Sequence, residues 1–304
     1  MNRQPLVSVG ITAYNRPKGL TRTLECITKQ TYKNLEIIVS DNCSPDFKVK
    51  EVAQKFQKKD KRIQYFRQSK NIYSDNGVFV LEKSTGNYFM WASDDDFWDK
   101  SYIASCINGF KKSKKIILVG TECDLINPKT GKIMLTDKGF STVNLSPSER
   151  FKKYKTTIHA GNYIGAIFYG IYKRKFLKKI MPFRKVIASD HLVLAELCFY
   201  GEFFTIPKKL MIKSWGGASK SLSDIARALG LKNKLFIYFP YFIRELFLQK
   251  IIFQTKKLSL FKKIKLAYWS FKNYLNQTKL LYFGMKVNKT MKLFWNRLFK
   301  MKGF

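Results

Sequence analysis

The chain has 304 residues, 45% hydrophobic and 15% aromatic, and a formal charge of +36 from 57 Lys and Arg against 21 Asp and Glu. Such a chain can bury a sizeable core, and its surplus of positive charge calls for an anionic partner: nucleic acid, an acidic membrane surface or a phosphorylated substrate. Five scattered cysteines with no C-x-x-C pair argue for reduced thiols over a disulfide framework or zinc site, and two histidines, His159 and His191, exclude a His-rich metal cage.

Residues 1–5 run directly into a strand-like segment, so no signal peptide is expected. Residues 6–12 alternate and are β-rich. A turn at 14–17 follows, with Pro17 suited to a first helical turn, and Leu20, Leu24 and Ile27 have helical spacing. Residues 35–40 form a second expected strand, ending in a loop of turn formers at 41–46. A lysine-rich helix at 49–58, a strand at 63–66, a helix near 77–83 and a strand at 88–92 complete a β-α-β-α-β-α-β series. That alternation predicts a mostly parallel sheet with helices on both faces.

Beyond residue 115 the pattern loosens. Strands are expected at 115–120, 133–136 and 163–172, a helix at 190–200, short strands at 203–206 and 210–213, and a mobile loop at 215–219. The most apolar run, 235–243, holds nine residues and a proline, too short for a bilayer that needs roughly 20. There is no G-x-G-x-x-G after the first strand and no P-loop, which disfavours a dinucleotide or nucleoside-triphosphate fold.

Ligands in sheets of this kind bind outside the carboxyl ends of the strands. Three polar clusters fall there: 12–16, 41–46 and 93–96. In the third, Asp94-Asp95-Asp96 places three acids side by side in an acid-poor chain. Adjacent carboxylates resist ionising together unless a cation joins them, and Mg²⁺ or Mn²⁺ takes oxygen ligands while bridging substrate phosphates. In an extended segment Asp94 and Asp96 share one side and Asp95 takes the other, whereas a turn could pair any two.

Residues 7–16, 30–42, Lys70-Asn71 and 86–98 together resemble the family 2 glycosyltransferases in order, spacing and strand-end placement. The resemblance covers about residues 5–110 closely and runs more weakly to about 220. It implies a GT-A fold, Rossmann-like, and a nucleotide-sugar donor, UDP-linked by expectation. Thr12, Tyr14, Arg16, Asp41, Lys70, Asp94 and Asp95 would bind the donor. Thr12 and Tyr14 would wall the base, Asp41 would accept from the pyrimidine imide, and Lys70 would meet the diphosphate. Asp94 and Asp95 would form the family's DXD site, Asp94 toward the ribose or the metal and Asp95 as ligand of Mn²⁺ or Mg²⁺ on the diphosphate, with Asp96 a further candidate metal ligand. Any two of the three would serve, and Asp94 and Asp95 are the favoured pair. The chain departs from the usual Asp-x-Asp-Asp at Ser93, and from the usual Asp-Gly after Asp41 at Asn42-Cys43.

The resemblance further implies inverting transfer, in which a carboxylate takes the proton from the acceptor hydroxyl. The family places this base at the start of a helix after the sheet, and the matching residue is Asp190, with Ser189 as the expected N-cap. His191 reads as packing and Glu196 as a helix-face carboxylate. The 159–165 and 215–219 loops are expected to shape the acceptor side, the second as a lid.

Residues 1–222 are therefore expected to form the transferase domain and 223–304 a basic helical, membrane-associating segment. From 225 onward there are 18 Lys and Arg and a single acid, Glu245. Leu258, Phe261, Ile264, Tyr268, Phe271 and Leu275 step by three and four between lysines, and Met291, Phe294, Trp295 and Leu298 repeat the pattern; such helices lie in membrane interfaces. The expected partners are a nucleotide sugar, a glycan or lipid-linked acceptor and an anionic membrane, reached from the cytoplasmic face, in bacterial surface polysaccharide or glycoconjugate synthesis. The competing reading, a basic nucleic-acid-binding protein, lacks a nucleic-acid motif and leaves the strand-end acids repelling phosphate.

Overall fold

A computed structural model describes residues 4–159, 165–214, 226, 229–231 and 239–284. Within them a nine-stranded sheet carries helices on both faces. Strands β1 (Val7–Ala13), β2 (Leu35–Asp41), β3 (Ile63–Arg67) and β4 (Tyr88–Ser93) are joined by helices α1 (Pro17–Thr28), α2 (Lys48–Lys59) and α3 (Asp75–Lys83). These four strands pair in parallel in the order β3-β2-β1-β4, as the alternation of the sequence predicts.

The sheet then continues through β8 (Ile171–Lys173), β6 (Ile116–Ile126), β9 (Glu202–Ser214) and β5 (Phe97–Trp98), with β7 (Ile133–Asp137) beside β6. Here the pairing is mixed: β8 is antiparallel to β4 and β6, whereas β6 and β9 run parallel. The two short strands expected at 203–206 and 210–213 are one strand, β9, whose register shifts against β6. The strand expected at 163–172 is instead a short helix, α6 (Gly165–Phe168), followed by β8, with 160–164 outside the described residues.

Period-two alternation in β1 and its neighbours divides the core. Val7, Val9, Ile11, Ile37, Val39, Met90 and Ala92 pack with α1, α2 and α4 (Tyr102–Gly109) on one face. Ile38, Phe89 and Trp91 face a second cluster. It is built with α3, α5 (Pro147–His159), α7 (Arg174–Lys179), α8 (Ser189–Leu197), α9 (Pro240–Gln254) and α10 (Leu260–Gly284). Ile243, Leu248, Ile251 and Ile252 of α9 and Leu266 and Ala267 of α10 belong to it. The basic helices thus share the hydrophobic cluster of the sheet. Leu258 packs inward too, leaving Leu260 beside Phe261 on the exposed stripe of α10.

Candidate active site

β1 and β4 are neighbours, but the chain leaving β1 runs toward one edge of the sheet and the chain leaving β4 toward the other, so a crevice opens above their carboxyl ends. Register pairs Thr12 with Ser93 and Ala13 with Asp41, which starts the three loops at one level. The crevice is a cleft of about 1010 Å³. Its walls include Thr12, Tyr14 and Arg16 after β1, Ser93 and Asp94–Asp96 after β4, and Ala188, Ser189 and Asp190 at the start of α8. Seven of the residues singled out by sequence therefore meet in one space: Thr12, Tyr14, Arg16, Asp94, Asp95, Asp96 and Asp190.

Arg16 answers the repulsion among the acids. Its Nη1 donates to Asp94 at 3.1 Å and to Asp95 at 2.7 Å, so one guanidinium nitrogen bridges two carboxylates. Asp95 also accepts from Ser93 Oγ, and Asp94 from the Tyr14 amide at a long 3.4 Å. Burial pushes the Asp94 carboxyl up to about 6, with Asp95 adding to the rise and Arg16 opposing it. A backbone detail permits this crowding: a Cβ on Gly19 in α1 would lie 1.9 Å from the Asp94 carbonyl oxygen, so only glycine fits there.

Three of the expected site residues are placed away from the open face of the cleft. Asp96 is 3% exposed and spends its carboxylate on the buried Lys213 of β9, so the pair left facing a ligand is Asp94 and Asp95. Asp41 lies outside the cleft walls, fully buried, and its oxygens accept from the Ser44 amide (2.8 Å), Tyr65 Oη (3.0 Å) and Arg67 Nη1 (2.7 Å). It braces the β2–β3 edge behind the cleft. Lys70 is a surface residue outside the cleft walls.

Asp190 stands in the first turn of α8, as expected, but the N-cap is Ala188, in the left-handed region at φ 60°, without a side-chain capping bond. Ser189 is already helical. Glu196 pairs with Arg184 at 2.5 Å.

Sequence reading missed Lys213, whose Nζ also lies 3.6 Å over the Tyr169 ring in the cleft wall. A lysine at an inward position of a strand was a signal, but its partner Asp96 is 117 positions away. It missed Asn42 as well: the side chain binds Asn71 Oδ1 at 2.8 Å and the Ile72 amide at 2.8 Å, holding the 71–73 turn against the rim. Residues 160–164 and the 215–219 lid lie outside the described residues.

The model of the family described as "Glycosyl transferase family 2" matches residues 8–181. A curated relative, the GalNAc(5)-diNAcBac-PP-undecaprenol beta-1,3-glucosyltransferase of Campylobacter jejuni, is 28% identical over 214 residues, covering 62% of this chain and 68% of that protein. Other curated glycosyltransferases are matched over less than half of their own length. Among solved structures, S. aureus TarS in complex with UDP-GlcNAc superposes with a TM-score of 0.64 at 14% identity, over 93% of this chain and 77% of that one. The Pyrobaculum calidifontis mannosyltransferase PcManGT, in complex with GDP-Man and Mn²⁺, gives 0.52 at 13% identity, over 99% and 82%. At these identities the structural likeness speaks for the GT-A fold.

Proposed function

Since this chain belongs to glycosyl transferase family 2, we propose that it moves a sugar from a nucleoside-diphosphate donor, UDP-linked, to a hydroxyl of a glycan or lipid-linked glycan, with inversion. The observation that carries this reading is the convergence of the Arg16–Asp94–Asp95 group and Asp190 in the walls of one cleft. The relative from C. jejuni, named for an undecaprenol-linked substrate, and the UDP-GlcNAc complex of TarS support the choice of acceptor and donor.

In this reading Thr12 and the half-exposed Tyr14 flank the nucleoside. Asp190 takes the proton of the acceptor hydroxyl as its oxygen bonds to the anomeric carbon. The bond from that carbon to the diphosphate breaks, and the nucleoside diphosphate leaves with the electron pair. The N-terminus of α8, opening on the cleft beside Asp190, adds a positive dipole end toward the same space. Lys213 holds Asp96 away from the ligand and brings a cation to the wall near the diphosphate.

The donor set also fits a divalent cation. Asp94 and Asp95 offer hard oxygens and already share one positive group. Mg²⁺ and Mn²⁺ take water and substrate phosphate oxygens beside one or two carboxylates, which suits a two-carboxylate donor set. Asp94 and Asp95 would hold the ion, which when bound would neutralise charge on the departing diphosphate.

Residues on α9 and α10 favour an anionic membrane as the docking surface. Leu260, Phe261, Ile264, Tyr268, Phe271 and Leu275 form an exposed stripe on α10, with Lys265 and Lys272 beside it. The segment's one acid, Glu245, is buried against Lys155. A face of aromatic and cationic groups without exposed acid suits an anionic headgroup layer. Among the described residues no helix is long and apolar enough to cross a membrane.

A screen of nucleotide sugars for Mn²⁺-dependent hydrolysis tests the reading, together with melting in UDP plus Mn²⁺. UDP with Mn²⁺ should raise the melting temperature, and no shift with any pyrimidine nucleotide would overturn the donor assignment. Phe261→Ser combined with Ile264→Ser should weaken binding to anionic vesicles, read by sedimentation, by at least about a hundredfold, given ~1.5–3 kcal/mol for each large apolar side chain buried. Unchanged sedimentation would count against the membrane face.

A further inference from the structure

Helix α8 starts from a residue that strongly prefers another conformation. Ala188 sits at φ 60° and ψ 46° with no capping side chain, a geometry that persists in a non-glycine residue only where the surroundings enforce it. Two contacts from other helices meet α8 one residue past Asp190. Tyr154 of α5 donates its hydroxyl to the His191 carbonyl at 2.6 Å, and Arg244 of α9 places Nη1 3.3 Å from His191 Nδ1. Arginine can only donate, so Nδ1 accepts. Burial, with Arg244 assisting and Asp190 opposing, lowers the imidazole's hold on a second proton.

The neighbours of these two residues are themselves joined. Lys155, beside Tyr154, donates to Glu245, beside Arg244, at 2.5 Å and to the Ser270 carbonyl of α10 at 2.6 Å. Glu245 also accepts from Ser270 Oγ at 2.7 Å and from Gln249 at 2.6 Å. Lys155, Glu245 and Ser270 are each at most 2% exposed. A fully bonded network of this kind fixes one arrangement of its helices, since breaking any member strands buried polar atoms. Tyr154, His191 and Arg244 do not line the cleft; they reach it through Asp190.

We propose that Tyr154 and Arg244 are positioning residues for Asp190: by gripping His191 from behind they hold the first turn of α8 in register with the cleft. The helical pair α9–α10 is then a working part of the transferase as well as its docking face, and the same rigid network ties that face to the base. The inference rests on the assignment of Asp190 as base.

Steady-state hydrolysis of the preferred nucleotide sugar by the full chain tests it. Tyr154→Phe removes one oxygen atom, and Arg244→Met keeps the aliphatic stem while removing the donors. Each should lower kcat about tenfold to a hundredfold, the cost of a misplaced catalytic group, with KM for the donor and the UDP-induced melting shift preserved. Arg244→Lys should restore part of kcat. In an Asp190→Asn background Arg244→Met should have no further effect, because both act through one carboxylate. Unchanged kcat in both variants, or an equal loss in the Asp190→Asn background, overturns the proposal. Failure of the base assignment looks different: Asp190→Asn itself then retains kcat, and both inferences fall.

Discussion

Two buried carboxylates at opposite ends of the parallel sheet, Glu36 and Asp94, are treated in opposite ways. At the amino end Glu36 accepts from Ser8 Oγ, from the Thr85 amide and hydroxyl, and from the Gly86 amide at 3.1 Å. Arg174 closes the same loop by donating to the carbonyls of Ser84, Thr85 and Gly86. Burial works to raise the Glu36 pKa, but the hydrogen bonds prevail and hold it below the usual glutamate value. At the carboxyl end Asp94 has Arg16 and a long bond from Tyr14, and burial prevails, lifting it to about 6. One end is finished by its own donors. At the other, Asp94 has fewer donors than its burial calls for, a state that suits the ligand-binding role proposed for it.

The largest expected effect concerns the finished chemistry of the open end. Asp190→Asn should cost about 10²- to 10⁴-fold in turnover while leaving the UDP and Mn²⁺ melting shift intact. Asp95→Ala should lose both, the metal-dependent part of that shift and turnover with it. Loss of the melting shift in Asp190→Asn as well would merge the base with the donor group into one site and break the division of labour between them.

Next in size is a contrast in stability, measured by urea unfolding without nucleotide or metal. Glu36→Gln should destabilise the chain by ~1–3 kcal/mol, because an amide cannot accept from all four donors and leaves some unpaired. Asp94→Asn should stabilise the free chain by ~1–3 kcal/mol, since the neutral amide avoids the burial of charge near Asp95. Destabilisation by both would show that Asp94 is a structural acid like Glu36.

Much of this division was legible in the sequence, for physical reasons that also set its limits. The β1–β4 series and its three strand-end loops follow from local periodicity and turn chemistry, and locality is what a sequence displays. Asp41 sits at a strand end like Asp94, yet it is sealed by Tyr65 and Arg67 from β3, partners that no motif spacing reveals. Helix α5 was missed because its inward positions include Lys155, a charged residue made tolerable by partners as distant as Glu245, ninety positions on, and Ser270. The C-terminal helices carry apolar residues on two faces, so their periodicity announced an amphipathic segment without saying that one face completes the core.

The smallest predicted effect follows from proton linkage and separates the two ends by sign. The Glu36 pKa is lower in the folded chain than the ordinary glutamate value of 4.5. Its contribution is therefore fully present above about pH 4.5 and is lost as pH falls through the folded value. The Asp94 pKa is raised from 3.8 to about 6. Its ionisation therefore costs stability above pH 6, and that cost is relieved as pH falls from 6 toward 4. Comparing each variant with the unmodified chain isolates these terms from the many other titrating groups. The destabilisation by Glu36→Gln should shrink below pH 4.5, whereas the stabilisation by Asp94→Asn should shrink already between pH 6 and 4. Two variants whose differences from the parent stay constant over that range would mean that neither carboxylate changes its proton affinity on folding, and the contrast between the ends of the sheet would then be one of geometry alone.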